Sequence, residues 1–324
     1  MAKSQVGVTS PNDNEERLDR PTGGENPRAR LLAGVPVTDR RLRLAGLLTA
    51  VLEGGDGPPV VLLHGPGEFA AKWLRVIPDL TQTNRVIAPD LPAHGESEPF
   101  DGPPDIDRVV AWLDDLIEST CGMPPVLVGQ TIGGAMAAHF AIHRGDRVSG
   151  LVLVDTLGLQ PFQPAPEFGL ALMSFVSEPT EDTHDRLWSH CAFNLDGLRH
   201  EMGARWDDFK AYNLDRAHAP DLRPAQHALM ESYGMPAIPA ADLTRIAVPT
   251  MLIWGRHDLA TPVSVAEATR GRYGWPLRVI ENAADDPPLE QPEAFLQALR
   301  AALRELARVA QRGAAQRRVK EETW

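Results

Sequence analysis

The stretch Val126-Leu127-Val128-Gly129-Gln130-Thr131-Ile132-Gly133-Gly134 decides the fold of this chain. A short, wholly apolar run ending in glycine reads as a buried strand, and residues 132–144 then carry apolar side chains at helical spacing. Between them Thr131 has a glycine two positions before it and another two after it. Small residues at those places let a sharp strand-to-helix turn lift one side chain clear of its neighbours. Working outward, VVLLHG (60–65), RVIAPD (85–90), VSGLVLVD (148–155), PTMLIWG (249–255) and LRVIEN (277–282) are further strand-like runs, while 69–80, 104–120, 263–272 and 291–310 have helical spacing. Apolar strands alternating with amphipathic helices imply an α/β chain with a mostly parallel, doubly wound sheet covered on both faces. TDRRLRLAG and LLTAVLEGG, ahead of this alternation, read as two more strands.

The bulk properties agree. The chain has 324 residues, 43% hydrophobic and 23% charged, so a large core is available. A formal charge of −12 gives no attraction to nucleic acid or anionic membrane, and a small-molecule substrate is the expected partner of a monomer or homodimer. Two cysteines, Cys121 and Cys191, cannot staple such a length, which points to a reducing cytoplasm. No run of 18 apolar residues and no apolar leader are present, so neither a membrane span nor secretion is expected.

Residues 1–34 lack periodicity and are expected to form a flexible arm. Residues 35–157 and 240–310 make the α/β core, and 311–324 a solvated tail. From 158 to 239 the alternation stops. This segment holds 9 of the 19 aromatic residues and 5 of the 10 histidines and is expected to be an inserted helical cap.

Ligands of open α/β sheets bind beyond the carboxyl ends of the strands. There the chain places His64-Gly65-Pro66-Gly67, Gly129-Gln130-Thr131-Ile132-Gly133-Gly134, Gly255-Arg256-His257-Asp258 with Pro262, and Ala283-Ala284-Asp285-Asp286-Pro287. With PDLPAHGESEP (89–99) and LEQPEAFLQALR (289–300), this order resembles the α/β-hydrolase fold family, capped like its esterases and epoxide hydrolases, across residues 37–310. The resemblance implies a nucleophile at the elbow, a histidine base, an acid, and an oxyanion hole made of two backbone amides.

Three departures stand against that implication. The elbow residue is Thr131, whose extra methyl stiffens a strained position. The residue in the histidine's place is Asp285. One of the two oxyanion residues is Pro66, which has no N–H, and the other is Ile132; loss of one donor costs about 2.7–4 kcal/mol. Only the acid, Asp258, stands where the resemblance puts it. His139 and His143 have a metal-ligand spacing without the accompanying glutamate, and no metal or cofactor is expected.

These residues point to a degenerate triad in a cofactor-independent enzyme of specialised metabolism. Its expected chemistry is non-hydrolytic: cyclisation, C–C bond formation, dehydration or isomerisation of a bulky apolar or aromatic substrate. Thr131, Asp258 and Asp285 are the candidate catalytic residues, the two aspartates being close enough for like charge to raise one of them. His64, Pro66, Gln130, Ile132, Trp188, Trp206, Tyr212 and Tyr233 are the candidate substrate-binding residues. Hydrolysis of an activated ester, lactone or epoxide by an altered route, and ligand binding without catalysis, are the alternatives.

Overall fold

The computed structural model describes residues 26–321. Its centre is an eight-stranded sheet: β1 (Thr38–Leu44), β2 (Leu47–Gly54), β3 (Pro59–Leu63), β4 (Arg85–Pro89), β5 (Val126–Gln130), β6 (Gly150–Val154), β7 (Thr250–Gly255) and β8 (Leu277–Ile280). They lie in the order β1-β2-β4-β3-β5-β6-β7-β8. The hairpin β1–β2 and the pair β2–β4 are antiparallel, and every later pair is parallel. Strands β3 and β6 are buried at every position, as a sheet covered on both faces requires.

Ahead of the sheet stands α1 (Pro27–Leu31), and after β3 come a 3-10 turn (Ala70–Arg75) and α2 (Ile77–Leu80). α3 (Ile106–Thr120) and α4 (Ile132–Arg144) flank β5. Between β6 and β7 lie the cap helices α5 (Pro166–Ser177), α6 (Glu181–Cys191), α7 (Leu195–Met202), α8 (Ala204–Ala217) and α9 (Arg223–Leu229), a π turn (Met230–Gly234) and α10 (Ala240–Leu243). α11 (Val263–Tyr273), α12 (Pro287–Glu290) and α13 (Pro292–Glu321) complete the chain.

Two boundaries read from sequence need correction. The proposed arm 1–34 is fixed over its last part. Leu31 is buried in the core, and the buried Arg28 guanidinium meets Asp39 Oδ2 at 2.9 Å and Asp90 Oδ2 at 2.7 Å. Periodicity missed this because α1 is five residues long and its anchor is an ion pair. Residues 1–25 lie outside the description. At the other end, the helix begun at Pro292 runs on to Glu321, so 311–321 is not a separate tail.

The elbow has the expected geometry. Thr131 has φ 46° and ψ −113°, a strained backbone for a β-branched residue. Its neighbour Gly133 faces main chain: a Cβ there would lie 2.5 Å from Leu63 O and 2.6 Å from His64 O. Gly133→Ala is therefore expected to push α4 off β3 and destabilise the protein by about 3 kcal/mol. Gly271→Ala, in α11 with open space around it, should be neutral or stabilising by about 0.5–1 kcal/mol. Thermal unfolding of the two variants side by side checks the contrast.

Candidate active site

Thr131 is 7% exposed, and its Oγ1 has no hydrogen-bond partner among the described residues. No imidazole reaches it. His64 is tied at both ring nitrogens: Nε2 accepts from Leu91 N at 2.9 Å, so Nδ1 carries the hydrogen and donates to Gly65 O at 2.7 Å. Burial holds its pKa well below the ordinary value. It is a structural residue, not the substrate contact expected from sequence. His94 Nδ1 donates to its own turn, at Pro92 O, 2.9 Å away, and the ring packs on His64. His257 stacks on Phe193 with ring centroids 4.4 Å apart. A conventional nucleophile–histidine couple is absent among the described residues.

Asp258, after β7, is buried, and its Oδ1 accepts from the amides of Ala260 and Thr261, each at 2.8 Å. Burial pushes its pKa up to about 8 against those hydrogen bonds. Its partner is not Asp285 alone. Asp155, directly after β6 and at φ 43°, faces it; one oxygen accepts from Gly255 N at 2.8 Å, and burial together with the Asp258 charge drives its carboxyl well above the usual range. Asp285 is half-buried, with its backbone oxygen held by Gln130 Nε2 at 2.7 Å. Burial, then the charges of Asp258 and Asp286, raise its carboxyl well above the ordinary value.

A third group was not read from sequence. The fully buried Lys72, on the 3-10 turn after β3, donates to Gln130 Oε1, lies 2.9 Å from Glu68 Oε2 and forms an ion pair with Asp286 Oδ1 at 3.1 Å. Burial pulls the ammonium down, and Asp286 and Glu68 more than offset it. Glu68 Oε2 also accepts from Gly65 N at 2.7 Å. Thus one amide beside the expected oxyanion position is taken by a carboxyl group, and the next residue is Pro66. Glu290 closes the floor: its oxygens accept from Phe193 N at 2.5 Å and Ala284 N at 2.7 Å, which pins the cap's 191–194 segment to the loop carrying Asp285.

The other expected contacts fall in packed interiors. Ile132 is buried under α4. Pro66 is exposed at the loop tip. Trp188 meets Trp206 and Phe209 edge-on, both at 5.2 Å, and Tyr212 meets Phe69 edge-on at 4.4 Å. Tyr233 packs edge-on against His139 at 5.4 Å. These four are buried, and they pack as part of the cap's own core and of its joint with the body.

Several buried carboxyl groups have raised pKa values, and the sign of their effect on stability follows. Glu68 and Glu290 are pushed up to about 7 by burial and Asp258 to about 8. A carboxyl that binds its proton more tightly when folded stabilises the fold fully below the unfolded pKa near 4, and that contribution is lost as pH rises through 7–8. Stability is expected to fall as pH rises from 5, the contributions of Glu68 and Glu290 being spent near pH 7 and that of Asp258 near pH 8. Denaturant midpoints across that range check it, and Asp258→Asn should flatten the profile.

An elbow at the sheet's carboxyl edge under a helical insertion between β6 and β7 defines a capped α/β-hydrolase architecture. Residues 60–298 match the alpha/beta hydrolase family model, and the chain belongs to that family. It is 26% identical over 273 residues to the 2-hydroxy-6-oxo-6-(2'-aminophenyl)hexa-2,4-dienoic acid hydrolase of Metapseudomonas resinovorans, covering 80% of this chain and 89% of the relative. It is 27% identical over 257 residues to a pimeloyl-acyl-carrier-protein methyl ester esterase of Vibrio vulnificus, covering 74% and 92%. Among solved structures, a 2-hydroxy-6-oxo-6-phenylhexa-2,4-dienoate hydrolase from a Rhodococcus strain superposes with TM-score 0.72 at 26% identity, covering 83% of this chain and 99% of the other. A bacterial membrane phospholipase A gives 0.73 at 25%, covering 86% and 90%. No helix among the described residues is long and apolar enough to cross a membrane.

Proposed function

We propose that this α/β-hydrolase-family chain is an enzyme that moves protons with its own carboxyl groups, and that it does so without an acyl-enzyme. The observation that carries the reading is the buried Thr131 hydroxyl without a hydrogen-bond partner, beside Gln130, whose side chain holds the loop that carries the raised Asp285 carboxyl. A hydroxyl with no base to take its proton is a poor nucleophile. A half-buried carboxyl that burial and neighbouring carboxylates raise above its ordinary value can serve as a general acid or base. Isomerisation, dehydration or cyclisation of a bulky apolar carbonyl compound, oriented beneath the cap and shielded from water, is the chemistry that such a site serves best.

The test is hydrogen exchange. A panel of aryl ketones and β-keto esters is incubated with the protein in deuterium oxide, and incorporation of deuterium beside the carbonyl is followed by NMR. Enzyme-dependent incorporation supports the reading; its absence across the panel, with ester cleavage in its place, overturns it. That second outcome has its own basis, since the relatives named above are hydrolases: Asp285 would then activate a water directly. Oxygen-18 from labelled water appearing in the product acid, without a covalent intermediate, identifies that route.

A further inference from the structure

Resting on this proton-transfer reading, we infer that Glu68 and Thr131 together form an oxygen-binding site that replaces the usual pair of backbone amides, and that the substrate is a carbonyl compound reacting through its enolate. The geometry centres on Gly65. A methyl group placed on its Cα would lie 2.6 Å from Thr131 Oγ1 and 2.7 Å from Glu68 Oε2. The two oxygens therefore close over the same side of Gly65, which has room for them only because it lacks a Cβ. Thr131 brings to it a buried hydroxyl without a partner, and a donor left unsatisfied in the interior is destabilising unless a ligand completes it.

Glu68 is anchored through one oxygen only. Oε2 accepts from Gly65 N and Lys72 Nζ, which leaves Oε1 for a proton and a ligand. Burial raises the carboxyl to about 7, opposed by Lys72 and assisted by the charge of Asp286. The neutral acid is thus well populated near pH 7, and a carboxylic acid kept neutral donates a hydrogen bond to developing negative charge. In the reaction Asp285 takes the proton from the carbon next to the carbonyl. The C–H electron pair forms the C=C bond, the carbonyl π pair moves onto oxygen, and that oxygen is held by the Glu68 and Thr131 hydroxyl groups. Collapse of the enolate takes a proton back from Asp285 at the same or a conjugated carbon, so no oxidant or co-reactant is consumed. The titratable groups facing Glu68 are Lys72 on its own turn, Asp285 and Asp286 on the loop before α12, and Cys191 at the end of α6.

A phenol is a stable stand-in for the enolate oxygen, and 2-naphthol reports its own protonation by fluorescence. The wild type is expected to bind 2-naphthol below pH 7 and to lose affinity as Glu68 ionises. Thr131→Val and Glu68→Ala should each weaken binding by about 10- to 100-fold. Glu68→Gln, which keeps an N–H donor, should retain binding and lose its pH dependence. Because Glu68→Ala also removes a partner from Lys72, Thr131→Val is the arm that leaves the ion pairs intact. No binding by the wild type, or wild-type affinity in both Thr131→Val and Glu68→Ala, overturns the inference. Weakened naphthol binding in those variants with deuterium exchange indifferent to Asp285→Asn leaves the oxygen site standing and overturns the proton-transfer reading instead.

Discussion

Asp285→Asn is expected to lower the rate of deuterium exchange by about 10²- to 10⁴-fold, the range that a positioned general acid or base contributes. Asparagine has the shape of aspartate and cannot carry the proton. The substitution leaves the loop's main anchor alone, because Gln130 Nε2 donates to the backbone oxygen of residue 285 and not to its side chain. It also removes a charge from a crowd of carboxyl groups that includes Asp258, Asp286, Glu290 and Glu68. Folding stability should therefore hold or rise while exchange collapses. Exchange within about threefold of wild type, read by NMR at matched enzyme concentration, would assign the proton to another group.

The second large effect is on stability. Lys72→Met keeps the length and apolar stem of the side chain, which packs beside Trp73, and deletes the one charge that answers Glu68, Asp286 and Gln130. Breaking a buried ion pair by removing one partner destabilises by about 3–5 kcal/mol, because the remaining charge is left desolvated. In a domain of this size that is roughly a 10 °C fall in Tm. The abandoned carboxyl groups escape by taking protons, so the deficit should be largest above pH 8 and smallest near pH 5. A deficit of the same size at both pH values would mean that packing, not charge, is what Lys72 supplies.

The frame of the molecule was legible because its signals are local. Gly129 and Gly133 around Thr131, the apolar strands and the aromatic-rich interruption each lie within one continuous segment. Pro66, Thr131 and Asp285 could be singled out for the same reason, since each is a residue type unlike the one that the resemblance implies at its place. What escaped was pairing across the chain. Asp155 follows a strand as innocuous loop text, and only the sheet brings it against Asp258, 103 positions on. Lys72 sits in the apolar run FAAKWL in a chain where arginine greatly outnumbers lysine. A lone lysine there is a signal that went unread, and nothing local named Gln130 and Asp286 as its partners. The cap aromatics show a related limit: side chains that stack on a substrate and side chains that stack on each other have the same spacing in sequence.

Position 131 should carry no acyl or phosphonyl group at any stage, and intact-protein mass spectrometry reads this from the mass of the chain itself. Wild type and Thr131→Ala are exposed in parallel to a fluorophosphonate and to an activated aryl ester. The elbow, where the threonine hydroxyl is hydrogen-bonded to no base among the described residues, predicts unmodified mass for both proteins. An adduct on the wild type that disappears in Thr131→Ala would contradict the account and make this chain a hydrolase with a working threonine nucleophile.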